Sequence, residues 1–157
     1  MKLPRNAQIW FPGYLHSRWR DRRSGPRLRK PSRIWLAIAD HFEPYWHKAD
    51  EQTAWNRVAA WVSKWPEIAA RNRDSEGNPA QYTFFYPQEE YQPRLLDAVG
   101  GMCQAGFGDV EIHIHHDGEG RQNFLDRMSS FVETLHARHG LLHCESGKPV
   151  FGFIHGN

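Results

Sequence analysis

The sequence predicts an α/β protein: the N-terminal part of a (β/α) barrel with parallel strands, about four β/α units long and incomplete as a barrel. Three observations carry that expectation. Short apolar or aromatic runs recur at 33–40, 81–87, 109–116 and 148–157, with helix-spaced segments between them. Alternation of this kind implies a parallel sheet with right-handed crossovers. Each run also reaches polar or ionisable residues as it ends, and in parallel α/β folds the carboxyl ends of the strands share the edge where sites are built.

Residues 1–32 are expected to be an irregular basic segment, because Pro4, Pro12, Gly13, Gly25, Pro26 and Pro31 interrupt it. Residues 33–157 form the barrel-type domain. RIWLAIAD (33–40) reads as a strand buried on both faces. In 53–72, Trp55, Val58, Val62 and Trp65 make one helical stripe, with a kink or division expected at Pro66. QYTFFYP (81–87) is a strand rich in aromatics and Thr. Residues 91–106 suit a helix that ends near Gly106. DVEIHIHH (109–116) is the third strand. In 121–139, Phe124, Met128, Phe131 and Leu135 lie on one helical face, and Gly140 stops the helix. KPVFGFIHGN (148–157) is the fourth strand.

A full barrel takes about 250 residues, and this chain has 157. Four strands make half a barrel with open edges, so the chain reads as a partial gene product or half of an assembly. Self-association through those edges is the expected partner mode.

Composition narrows the class. The chain is 39% hydrophobic and 13% aromatic, which is globular and not disordered. Two cysteines, with no CxxC pair, give no sign of a disulfide scaffold. The opening MKLPRNAQIWFPGYLHSRWR lacks the apolar core of a signal peptide, and IWLAIA is too short to span a bilayer. A cytoplasmic protein without membrane contact is expected. Residues 18–33 hold eight Arg or Lys against one Asp, leaving the rest of the chain net acidic. Such a run can touch phosphates, but no nucleic-acid-binding motif accompanies it, so a solvated segment is expected and a nucleic-acid partner is not. Neither GxGxxG nor GxxxxGK[ST] occurs, so a nucleotide fold has no specific support.

The strand ends carry the chemistry. They are Asp40-His41-Phe42-Glu43, Tyr86-Pro87-Gln88-Glu89, His113 to Asp117, and His155-Gly156-Asn157. Period two places Glu111, His113 and His115 on one face of the third strand, with Ile112 and Ile114 on the other against helices. Histidines at i and i+2 can reach one metal ion, and a set of two or three His with Asp40 leaves room for water. That is a hydrolytic arrangement. Zn is the expected ion, with Mn, Co and Ni also compatible. Glu43 equally suits a backbone-amide acceptor. Tyr86 suits a packed aromatic as well as substrate contact. His136, His139 and His143 read as surface or cap residues. The seven tryptophans read mainly as core, with one or two at the barrel mouth able to stack on sugar rings.

Three segments resemble the polysaccharide deacetylases, the metal-dependent carbohydrate esterases. EIHIHHDGE is similar to their metal-binding histidine motif, IWLAIADHF to their first strand, and QYTFFYP to their second; the order and spacing agree over roughly 33–120. The resemblance implies a hydrolase that removes acetyl from an N-acetylated sugar. Asp40 falls on the family's general base, and His41 on a metal-ligating aspartate. The one-residue alternative makes Asp40 the ligand. His115 matches the first motif histidine, and the second would fall at Glu119. His113 or His116 then supplies the missing ligand, or Glu119 ligates directly. Tyr86, His155 and Asn157 are the substrate-binding candidates. The family's Arg-x-Pro-aromatic segment is absent, with FGFIHGN in its place. Two other readings stand beside this one. One is a metallohydrolase of amidohydrolase type, although there HxH follows the first strand. The other is a non-catalytic carbohydrate-binding relative, which Glu119 in place of His favours.

Overall fold

The structure, a computed structural model, describes residues 7–24, 33–116 and 118–156. The chain divides into two compact units, Met1–Leu36 and Ala37–Asn157.

In the first unit, Ala7–Ser24 forms helix α1. This corrects the expectation of an irregular segment. Pairs at i,i+4 offset the breakers Pro12 and Gly13: Arg23 lies over the Trp19 ring at 3.9 Å, and Ser17 Oγ donates to Asp21 at 3.5 Å. Arg22 and Arg23 also sit in the last turn, where cations complement the helix dipole. Pro4, Gly25, Pro26, Pro31 and residues 25–32 of the basic run lie outside the described residues.

The second unit runs β1 (Ala39–His41), α2 (Glu51–Arg71), β2 (Thr83–Pro87), a one-turn helix (Gln88–Glu90), α3 (Pro93–Met102), β3 (Asp109–His115), α4 (Arg121–Glu133), β4 (His143–Glu145), β5 (Lys148–Val150) and β6 (Phe153–Gly156). Wider, π-type turns, Cys103–Phe107 and Thr134–Arg138, extend α3 and α4. Among the described residues, β1-β2-β3-β6 form one parallel sheet in that order. The sheet curls as half a barrel. A strand order that never reverses is barrel-like, whereas a doubly wound sheet reverses at its switch point.

The first strand is shorter than expected. Ile34, Trp35 and Leu36 are more than four-fifths exposed, and the ladder begins at Ala39 opposite Thr83. Upstream of Thr83 the chain turns away: the Ala80 N–H bonds the Ala69 and Asn72 carbonyls at the end of α2. The fourth strand is also divided. Ser146 and Gly147 both take positive φ, the geometry of a two-residue hairpin turn, so Lys148–Val150 folds back on His143–Glu145. Only Phe153–Gly156 joins the main sheet.

The core lies between the sheet and the helices. Phe84 and Tyr86 of β2, and Val110, Ile112 and Ile114 of β3, are fully buried against Val58 and Trp65 of α2, Leu96 and Val99 of α3, and Phe131 and Leu135. Asp50 caps α2 by accepting the Thr53 N–H at 2.7 Å. The helix runs through Pro66 undivided, because Trp65 and Ala69 are buried on either side and the Trp65 indole donates to the Phe107 carbonyl at 2.6 Å. Gly140, at φ +62°, ends the α4 extension as its position predicts. Of the tryptophans, only Trp65 is buried among the described residues; Trp10, Trp19, Trp35 and Trp46 are more than half exposed, so they are not mainly core.

Candidate metal centre

Register determines which strand-end side chains meet. Partners in a parallel ladder point to the same side of the sheet. His41 pairs with Phe85, and Glu111 with Phe85 from the other flank; His113 pairs with Pro87 and Ile154, and His115 with Gly156. All face away from the core. Ile112 and Ile114 face the helices, as their spacing predicts.

His41, Glu43 and His113 converge at the carboxyl edge of the sheet, where one potential ligand atom from each lies within 4.8 Å of the others. Glu43 Oε1 stands 3.7 Å from His41 Nδ1, 3.5 Å from His113 Nε2 and 3.7 Å from His115 Nε2. One carboxylate oxygen thus faces three imidazoles. His113 is completely buried. Its Nδ1–H donates to the Ile154 carbonyl at 2.9 Å, while its Nε2, among the described residues, has no hydrogen-bond partner. Burial holds the His113 pKa below its ordinary value, so the ring is kept neutral with a lone pair on Nε2.

A divalent ion fits this arrangement. A buried nitrogen without a partner is costly unless something occupies its lone pair. A ligating histidine characteristically gives its other N–H to a carbonyl or carboxylate, as His113 does to Ile154. Two imidazoles and one carboxylate are a known catalytic zinc donor set that leaves a position open.

Around this set stands a ring of carboxylates. Glu89, in the turn after β2, contacts His115 Nδ1 and accepts the His115 backbone N–H at 3.2 Å. Glu90 accepts the Tyr45 N–H at 2.7 Å, and burial raises its carboxyl pKa. Glu111, half-buried on the inner face, accepts the Gly152 N–H at 2.5 Å and is likewise raised by burial. Gly156 closes the floor, its backbone lying against the His113 and His115 rings.

The other expected site residues fall elsewhere. Asp40 pairs with Phe84 and so points to the helix side, away from the ligand group; its carboxylate adds to burial in raising the Tyr82 hydroxyl. His116 and Glu119 bond each other at 2.9 Å and stand outside the ligand group. Tyr86 is fully buried in the core, its hydroxyl donating to the Glu90 carbonyl at 3.2 Å. His155 pairs with Ile114, faces the helix side and lies 5.5 Å from the His116 ring. Asp117 and Asn157 lie outside the described residues. His139, expected as a surface or cap residue, is the C-cap of the α4 extension, and its side chain is buried, with Asp97 on Nδ1 at 2.8 Å and the Tyr91 hydroxyl on Nε2 at 3.1 Å.

No family model, curated protein or solved structure matches this chain. No helix among the described residues is long and apolar enough to cross a membrane.

Two contributors stood in the strand-end clusters without being given these roles. Glu43 follows His41 by two residues, the spacing that lets both reach one ion, yet the strand ends before it. Gly156 sits beside a histidine in an unremarkable His-Gly-Asn, and nothing in one sequence marks a floor residue.

Proposed function

We propose that this chain is the N-terminal part of a (β/α) barrel carrying a divalent-metal hydrolytic centre of the polysaccharide deacetylase type, acting on the acetamido group of an N-acetylated sugar. The observation that carries the reading is the buried, unpartnered Nε2 of His113, aimed at Glu43 and His41. His41, Glu43 and His113 would hold the ion, with zinc favoured by the donor set. A divalent ion there supplies Lewis-acid polarisation of a carbonyl and acidification of water.

The chain's own groups divide the remaining work. His113 is locked in one tautomer by Ile154, which fixes the direction of Nε2. His115 stands on the exposed flank, about one-third open to solvent, with Nε2 beside Glu43 and Nδ1 held by Glu89. That is the posture of a general base, and it takes the role that Asp40, turned to the other side of β1, does not reach. Trp46, in the loop after β1 and more than half exposed, offers a face on which a sugar ring can stack.

A second reading keeps the fold and loses the chemistry: a carbohydrate-binding relative without turnover. The engagement of Glu119 by His116 and Arg127, which removes it from the ligand set, favours that alternative. The deciding experiment is zinc stoichiometry together with hydrolysis of an N-acetylated oligosaccharide. Bound zinc with acetate release supports the deacetylase. Saccharide binding without zinc or acetate release supports the binding relative and sinks the enzyme.

A further inference from the structure

We infer that Arg127 is a positioning residue that sets the orientation of the His115 ring through Glu89. The inference rests on the reading of His115 as the proton acceptor.

Arg127 lies on the second turn of α4, six residues after the helix begins at Arg121, and its side chain is three-quarters buried. Each guanidinium nitrogen has a partner. Nε donates to Gln88 Oε1 at 2.9 Å. Nη1 donates to Glu119 Oε2 at 2.7 Å and to the His115 carbonyl at 3.3 Å. Nη2 donates to Glu89 Oε2 at 3.3 Å. One planar fork therefore ties together the turn after β2, the last residue of β3 and the loop before α4.

The consequence lies in the Glu89 carboxylate. Its Oε2 is held by Arg127, and its Oε1 receives both the backbone and the ring N–H of His115. A carboxylate gripped from behind and presenting one oxygen to two donors of a single residue fixes the ring's rotation and its tautomer. The hydrogen stays on Nδ1, and the lone pair of Nε2 is left facing Glu43. Without Arg127, Glu89 would lie among like charges, with Glu43 and Glu90 nearby, and would swing toward water. Lysine cannot replace the arginine, because a single ammonium does not reproduce donors in three fixed directions.

The test uses metal-free protein. Wild type, Arg127→Lys and Arg127→Gln are compared by long-range nitrogen–proton correlation spectra at mildly alkaline pH, where imidazoles are neutral. Wild type is expected to show His115 with its hydrogen on Nδ1, and both variants a mixture with the Nε2–H form. His113, held by the Ile154 carbonyl, serves as the reference for an intact fold. Should the glutamine variant lose that reference, the lysine variant decides alone. A His115 signal that keeps its wild-type tautomer in a folded variant overturns the inference, and so does full restoration by lysine. Zinc titration of the same samples bears on the proposed function separately: a wild type that binds no zinc ends the metal reading, while the tautomer result stands.

Discussion

The ring of His113 touches the place where Gly156 has no side chain: a Cβ there would stand 2.7 Å from His113 Cε1 and 2.5 Å from His115 Cδ2. His113 is fully buried and has nowhere to retreat. Gly156→Ala should therefore move both imidazoles and cost about 1–3 kcal/mol of stability, the range for overpacking a filled site. Zinc affinity should fall about tenfold or more. Urea unfolding and zinc titration of the alanine variant check both, and an unchanged zinc affinity would show that the floor does not shape the ligand set.

The two same-face histidines of β3, His113 and His115, should separate in function. His113→Ala removes a proposed ligand and is expected to abolish stoichiometric zinc binding. His115→Ala is expected to keep the ion and lose about a hundredfold or more in acetate release, the usual scale of general-base catalysis. Metal analysis paired with turnover distinguishes them. Loss of zinc in both variants would return His115 to the ligand role that the family resemblance implies.

The depressed His113 pKa gives a pH dependence of known sign. Its folded pKa lies below the ordinary value of 6.5. Above 6.5 the ring is neutral folded or unfolded, and its contribution to stability is fully present. As pH falls through that value the unfolded chain takes up a proton that the folded chain resists, so stability is lost. Urea midpoints of metal-free wild type should fall between about pH 8 and about pH 5.5 more steeply than those of His113→Leu. Parallel profiles would mean that His113 contributes nothing to the acid limb.

The thiols should react very differently. Cys103 is buried, and burial pushes its pKa up to about 12; Cys144 is exposed on β4. An aromatic disulfide reagent at neutral pH should label one thiol per chain quickly, the second appearing only on unfolding. Rapid labelling of two thiols would contradict the packing of α3 on the sheet.

The legible part of this protein was the part with short-range pattern. In β3, alternation placed His113 and His115 on one face and Ile112 and Ile114 on the other, and the structure agrees. The three β/α alternations and the glycine stop at Gly140 were readable for the same reason: each depends on neighbours a few residues away. Asp40 shows where the pattern was applied too loosely. It shares a strand end with His41, but one residue of register turns it to the opposite side of the sheet. The apolar run ending in Asp40 misled similarly, since hydrophobicity promises burial only where a partner strand exists. Arg127 could not have been found by spacing, because its role comes from α4 folding back over the end of β3 and the turn after β2.

The bond from His113 to Ile154 also ties the chemistry to one marginal piece of the chain. β6 has four residues and, among the described residues, pairs with β3 alone, yet it supplies the carbonyl that aims His113, the glycine beneath both rings and, just before it, the amide that engages Glu111. Local opening of β6 would dismantle the ligand set while β1, β2 and β3 stayed paired. A divalent ion bound there would select the closed form and so raise the cost of that opening. Amide hydrogens of β6 should exchange more slowly with zinc present, and those of α2 at an unchanged rate, making this short strand a built-in reporter of occupancy.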